Sequence, residues 1–189
     1  AANLVAVPGC YPTASILGLL PLIPYIQKNS KIILDAKSGI SGAGKSSVEN
    51  GLEEEIKENF KSYNVGFHRH QPEIKDFLKT EFNLDHEIIF IPHLLPLFRG
   101  EYVTLYCEVS QNDLDLNELY ESYYEKHQLV RVKDKGEIAE IKDVINTFYC
   151  DISVSYAFQS NTIIVNSAID NLLKGAASQA IQCLDIMSS

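Results

Sequence analysis

Basic residues are scarce in this sequence: 16 Lys and Arg stand against 25 Asp and Glu over 189 residues, a formal net charge of −9. A chain so short of positive charge is not expected to lie along nucleic acid or an anionic membrane surface, because nothing would neutralise a row of phosphates. A few local basic groups still suffice for a small anionic substrate. Apolar runs approaching the roughly 18 residues of a membrane span are missing, and so is a charged-then-apolar leader, so neither membrane insertion nor export is expected. The four cysteines, Cys10, Cys107, Cys150 and Cys183, form no CxxC pair and no His/Cys ligand pattern, which removes the usual zinc and redox motifs. No metal is expected, and a reducing, cytoplasmic compartment is the default. Internal repeats and low-complexity tracts are absent, as is a GxGxxG between a strand and a helix, so the chain lacks the dinucleotide-binding fingerprint.

What is present suffices for one core: 46% of residues are hydrophobic. Residues 4–7 read as a short strand stopped by Pro8 and Gly9, and a helical run follows from about Pro12 until Pro21 and Pro24 end it. Strands are expected at 31–36, 88–91, 102–109, 130–132, 150–158 and 162–166. Residues 38–47 read as a Gly/Ser loop, and 49–59 as a solvated helix or loop. Helices are expected after Pro72, over the acidic, Tyr-rich stretch 116–125, and over 169–187, where 169, 172, 173, 176, 180, 184 and 187 are apolar along one face. Strands with short connections and helices between them predict an α+β fold with a mixed or mostly antiparallel sheet covered by helices. Cys107, Cys150 and Cys183 read as small buried hydrophobes. A chain opening on Ala just before its most reactive-looking residue is expected to be part of a longer protein.

That residue is Cys10, in Pro8-Gly9-Cys10-Tyr11-Pro12-Thr13. Unsatisfied N–H groups at a helix start favour an anion, so a thiol there is expected to shift toward thiolate. A second cluster, His68-Arg69-His70-Gln71-Pro72-Glu73, packs two imidazoles, a guanidinium and a carboxylate into six residues. Extended backbone would turn His68 and His70 to one side and Arg69 to the other. Either imidazole can relay protons to and from a thiol, and Glu73 can orient it. The loop from Ser38 to Lys45 fits the letters of a phosphate-binding GxxxxGK[ST] motif, which also requires a helix directly after the loop and a parallel sheet. Without those, its backbone donors and Lys45 equally suit a substrate phosphate or carboxylate.

These segments resemble the N-acetyl-gamma-glutamyl-phosphate reductases. PGCYPTAS is similar to their active-site segment, and DAKSGISGAGKS (35–46), FHRHQPEI (67–74), IPHLLPLFRGEYVTLY (91–106) and SAIDNLLKGAASQAIQ (167–182) follow in the family's order. Ser178 stands where the family usually has a glycine. The resemblance implies a fold like the C-terminal domain of glyceraldehyde-3-phosphate dehydrogenase, with Cys10 as nucleophile and the 68–70 segment as general acid/base, His70 favoured over His68. It implies substrate contacts from Ser38, Ser41, Gly42, Lys45, Arg69 and Arg99, and NADP contacts from Asn171, Lys174 and Gly175, with most of the NADP site on an upstream domain. Residues 1–166 are then a catalytic and oligomerisation unit forming a dimer or tetramer, and 167–189 a helix packing back on the NADP-binding domain. The implied reaction reduces N-acetylglutamyl phosphate to the semialdehyde in arginine biosynthesis. An aspartate-semialdehyde-dehydrogenase-like reductase and a Cys/His hydrolase are the alternatives.

Overall fold

Alternation in the sequence becomes alternation of burial. Ile32, Leu34 and Ala36 on one strand and Val103, Leu105 and Cys107 on its neighbour turn inward, while the residues between them stay partly exposed. The computed structural model describes residues 3–44, 46, 48–111 and 113–188. Its strands are β1 (Lys31–Gly39), β2 (Lys61–Ser62), β3 (Glu87–Leu95), β4 (Glu101–Glu108), β5 (Val130–Val132), β6 (Cys150–Tyr156) and β7 (Thr162–Ile169). They form one seven-stranded sheet in the order β2-β3-β1-β4-β7-β6-β5. The β1–β3 and β5–β6 pairs are parallel and the other pairs antiparallel, so the fold is α+β with a mixed, mostly antiparallel sheet, as the sequence predicts.

Helix α1 (Cys10–Leu19) lies on the inner face and is buried along most of its length. Gly18 lets it approach the sheet, with Val165 and Leu105 at van der Waals distance from where a Cβ would stand. After the single turn α2 (Glu53–Ile56), helix α3 (His70–Phe82) packs beside α1 and β3. Helix α4 (Leu116–Tyr124) is capped by Asp115, whose carboxylate accepts from the Glu118 N–H. Its Tyr120 donates to the Gly18 carbonyl at 2.6 Å, and Tyr124 donates to the Leu17 carbonyl. The chain ends in α5 (Ser178–Ser188).

Three expectations change. Residues 4–7 form no strand; they are solvent-facing, with Leu4 88% exposed, and pair with no sheet edge among the described residues. Residues 38 and 39 extend β1 rather than opening a loop. The helix expected from 169 begins later: Ile169 closes β7 between Glu101 and Cys150, and a π-type turn spans Leu173–Ala177 before α5 starts. Asp170 causes the delay. Its buried carboxylate accepts from the N–H groups of Leu172, Leu173 and Asn146 and pairs with Arg99 at 3.2 Å, so the chain turns there. Ile181 and Leu184, on α5, remain about 60% exposed.

Tyr120→Phe leaves the buried Gly18 carbonyl without this donor. It is expected to lower unfolding free energy by about 1–2 kcal/mol, read as a shift in urea midpoint at unchanged slope.

Candidate active site

Gly9 caps α1 with extended backbone, and its carbonyl accepts from both the N–H and the hydroxyl of Thr13, at 3.0 and 2.9 Å. Its own N–H donates to Glu73 Oε1 at 3.0 Å, tying the start of α1 to the first turn of α3. Glu73 thus anchors the backbone just before Cys10 rather than orienting the imidazole, and His70 Nδ1 has no hydrogen-bond partner among the described residues. The absence of a side chain on Gly9 is required, since a Cβ there would stand 2.4 Å from His70 Nε2. The imidazole therefore rests directly against the residue before Cys10. On the other side Gly175 closes in, where a Cβ would come within 2.6 Å of the Cys10 Cβ.

His68 and His70 both face inward, with ring centroids 4.8 Å apart, and Arg69 turns out to solvent, but the backbone is not extended as expected: Arg69 is in the right-handed helical region and His70 opens α3. The His68 Nδ1 accepts the backbone N–H of His70 at 3.2 Å, so this nitrogen is unprotonated. Burial lowers the His70 pKa to about 4, helped by the neighbouring His68 and Arg69 charges, and burial lowers His68 as well. At neutral pH both rings are uncharged.

The Cys10 thiol departs from expectation. Backbone N–H groups of Cys10 and Tyr11 do favour its anion, but burial and the Glu101 carboxyl push its pKa well above the ordinary thiol value. A helix terminus contributes about 0.3–1 kcal/mol, whereas burying an ion without a counter-charge costs several, so burial wins. Glu101 is the residue that the motif reading missed. It is fully buried, at the first position of β4, in register with Ser38 of β1 and Ile169 of β7. The signal was present: Glu101 shares its phase with Val103, Leu105 and Cys107, so alternation alone puts a carboxyl on the inner face.

The substrate candidates separate. Ser38 is buried on the inner face with its hydroxyl donating to the Gly39 carbonyl. The turn Ile40–Ala43 is clamped to residues 97–100, with Ile40 N–H and Ser41 N–H donating to the Leu97 and Phe98 carbonyls. Gly42 sits over Ser38, and Asn171 Nδ2 donates to Ser41 Oγ at 2.9 Å while Asn171 Oδ1 accepts from the Gly100 N–H at 2.7 Å. Ser38, Ser41, Gly42 and Asn171 are thus one group bordering the Glu101 rung. Lys45 lies outside the described residues. Arg99 is held by Asp170 and Asn146, and Lys174 is buried with its ammonium on Gln182 Oε1 at 2.8 Å. β1 runs into the 3₁₀ turn Ile40–Ala43, and its two sheet neighbours are one parallel and one antiparallel strand, so the phosphate-loop letters do not lie in the parallel sheet that motif needs. A cleft of about 1000 Å³ runs along the outer side of α1, between Pro8, Glu73, Phe77, Tyr123 and Gln182.

A helix that starts at a half-buried cysteine and lies over a mixed sheet, with a neutral imidazole packed on the glycine before it, is the arrangement of a semialdehyde dehydrogenase domain. Aspartate semialdehyde dehydrogenase II from Vibrio cholerae superposes on it with a TM-score of 0.78 at 17% identity, over 98% of this chain and 62% of that one. Residues 10–171 match the semialdehyde dehydrogenase dimerisation domain, and the chain belongs to that family. It is homologous to the N-acetyl-gamma-glutamyl-phosphate reductases of Thermoanaerobacter sp. (strain X514), 43% identical, and Desulforudis audaxviator, 45% identical. Each comparison covers 98% of this chain and 55% of the relative, so the chain spans about half the length of these curated relatives.

Two outcomes follow from this geometry. Gly175→Ala must displace Cys10, and alkylation of the Cys10 thiol, followed by peptide mass spectrometry, is expected to change at least severalfold while circular dichroism is retained. In an NMR titration the His70 ring is expected to stay neutral down to about pH 5, because its folded-state pKa is lowered to about 4. Folding thus disfavours its protonated form, so the stability linked to His70 is present above pH 6.5 and is lost as pH falls toward 4.

Proposed function

We propose that this chain is the catalytic part of an N-acetyl-gamma-glutamyl-phosphate reductase. In this reading it carries out, in arginine biosynthesis in the cytoplasm, reduction of N-acetyl-L-glutamyl 5-phosphate to the 5-semialdehyde. The observation carrying it is the seating of the Gly9–Cys10 turn, with His70 against Gly9 and Gly175 against Cys10, within a chain of which 98% aligns with reductase sequences. The Cys10 sulfur attacks the gamma-carbonyl carbon; the S–C bond forms and the C–O bond to phosphate breaks, leaving a thioester and inorganic phosphate. N–H groups at the start of α1 hold the developing oxyanion. After reduction to the thiohemiacetal, His70 relays the proton as the C–S bond breaks and the semialdehyde leaves.

NADPH supplies the hydride when bound. Of the three residues expected to meet it, Gly175 is buried against Cys10, so any contact it makes is through the backbone beside that residue. Asn171 and Lys174 already bond within the chain, so they shape the site's wall rather than grip a nucleotide. The dinucleotide site is assigned to the part of the relatives that this chain does not span, with α5 packing against it through Ile181 and Leu184, which face solvent here. Ser38, Ser41 and Gly42 are assigned to the substrate's anionic groups together with Lys45 and the exposed Arg69, whereas Arg99 acts through Asp170. The dimerisation-domain match supports a homo-oligomer, and the open sheet face carrying Ile33, Ile91, Tyr102, Tyr106 and Ile164 is the surface for it.

The test joins the chain to its upstream domain and assays NADP- and phosphate-dependent oxidation of N-acetylglutamate semialdehyde. Turnover is expected in the parent, and Cys10→Ser is expected to lose about a thousandfold or more in kcat. Activity with aspartate semialdehyde instead would transfer the assignment to that substrate. The 189-residue chain alone is expected to bind NADPH weakly, and a micromolar dissociation constant by titration calorimetry would defeat the domain assignment.

A further inference from the structure

One row of residues crosses the sheet beneath Cys10. Leu94, Ser38, Glu101, Ile169 and Cys150 stand in register on β3, β1, β4, β7 and β6, and all five are buried. Four are small or apolar; the fifth is a carboxylic acid. Glu101 forms no ion pair among the described residues, and neither of its oxygens meets a well-directed hydrogen-bond donor. Buried carboxyls are ordinarily paired or hydrogen-bonded, because an isolated one costs several kcal/mol. Its polar neighbour is the Cys10 thiol, whose pKa burial raises first and the Glu101 charge raises further.

We propose that Glu101 and Cys10 form a thiol–carboxyl pair that shares protons, in which Glu101 is the group that receives the proton leaving the sulfur. The proposal rests on Cys10 being the nucleophile. The step is a proton transfer without redox change, made by the ionised fraction of Glu101: S–H with a carboxylate becomes a thiolate beside a carboxylic acid, whose O–H then donates to the sulfur anion. Attack on the acyl carbon follows, and the carboxyl keeps the proton until solvent removes it. Base strength favours this partner. Burial moves the carboxyl up to about 8, which makes it a stronger base than His70 at about 4, and its unpartnered oxygens lie on the rung beneath Cys10.

The surroundings do not offer the carboxyl another charge. Tyr11 on α1 and Tyr63 after β2 face the pair with phenols raised by burial, and Cys150 on β6 faces it with a thiol raised to about 12. His68, His70 and Arg69 approach from the start of α3, and Lys174 acts on Cys150 and Cys183. None of these bonds to the Glu101 oxygens.

Alkylation of Cys10 by iodoacetamide across pH reads the pair in the 189-residue chain, with the Cys183 peptide as internal reference. The parent is expected to react in two steps, the first near pH 8, as two coupled groups give up protons in turn. Glu101→Gln keeps the shape and cannot ionise; a single step is expected, with alkylation at high pH raised about tenfold by loss of the carboxylate charge. Glu101→Met is the second variant and is expected to give a single step as well. A single-step parent curve, or superimposable curves for the parent and a folded variant, overturns the proposal.

Stability gives a separate readout. Folding raises the carboxyl from 4.5 to about 8, so its contribution is full below pH 4.5 and is lost as pH rises toward 8. The urea midpoint of the parent is expected to fall relative to that of Glu101→Gln over this interval, and parallel midpoints would also overturn the pairing. Retention of turnover by Cys10→Ser in the full-length enzyme would instead remove the nucleophile itself, whatever the alkylation curves show.

Discussion

The start of α1 is held at one point, where the Gly9 N–H donates to Glu73 and the Gly9 carbonyl accepts twice from Thr13. Everything around Cys10 is arranged about that fixed turn. Two glycines set the approach distances: Gly9 admits the His70 ring, and Gly175 admits the backbone of the π-type turn. A single methyl at either would fall well inside contact distance, so the sulfur's position is set by what these residues lack. Asp170 supports the same arrangement from the other side, turning the chain after β7 so that Gly175 returns over α1.

Burial then sets the chemistry. The pocket raises the acids Cys10 and Glu101 and lowers the base His70, the common signature of desolvation acting on groups of either sign. At neutral pH the site holds a thiol, a neutral imidazole and a largely protonated carboxyl, with little net charge to solvate. In the proposed reaction, substrate phosphate and carboxylate bring charge with them. The start of α1 and the Ser38–Gly42 turn are fixed by Glu73, by the sheet and by Asn171 before any ligand arrives.

Strand identities were legible because the inner face demands a period of two. β1, β4 and β7 appear in the sequence within three residues of their observed ends, and Gly9 and Pro12 marked the start of α1. Residues 4–7 misled because an apolar tetrad looks like a strand whether or not a sheet edge is available to pair with it. The apolar face counted from 169 misled because Ile169 is apolar for the sheet, not for a helix. The inward pairing of His68 and His70 was expected from extended backbone but is made by a helical turn at Arg69, and the attachment of Glu73 to Gly9, 64 residues away, was not legible at all.

By itself the sequence determined the layer architecture and a helix starting within two residues of Cys10, since periodicity and glycine placement are local properties that survive without neighbours. Tertiary structure alone decided the protonation of those residues and their partners. Whether a helix terminus or burial governs a thiol depends on what is stacked above and below it. Here that is a carboxyl from a strand 91 positions further along, which only the sheet register brings beneath the sulfur.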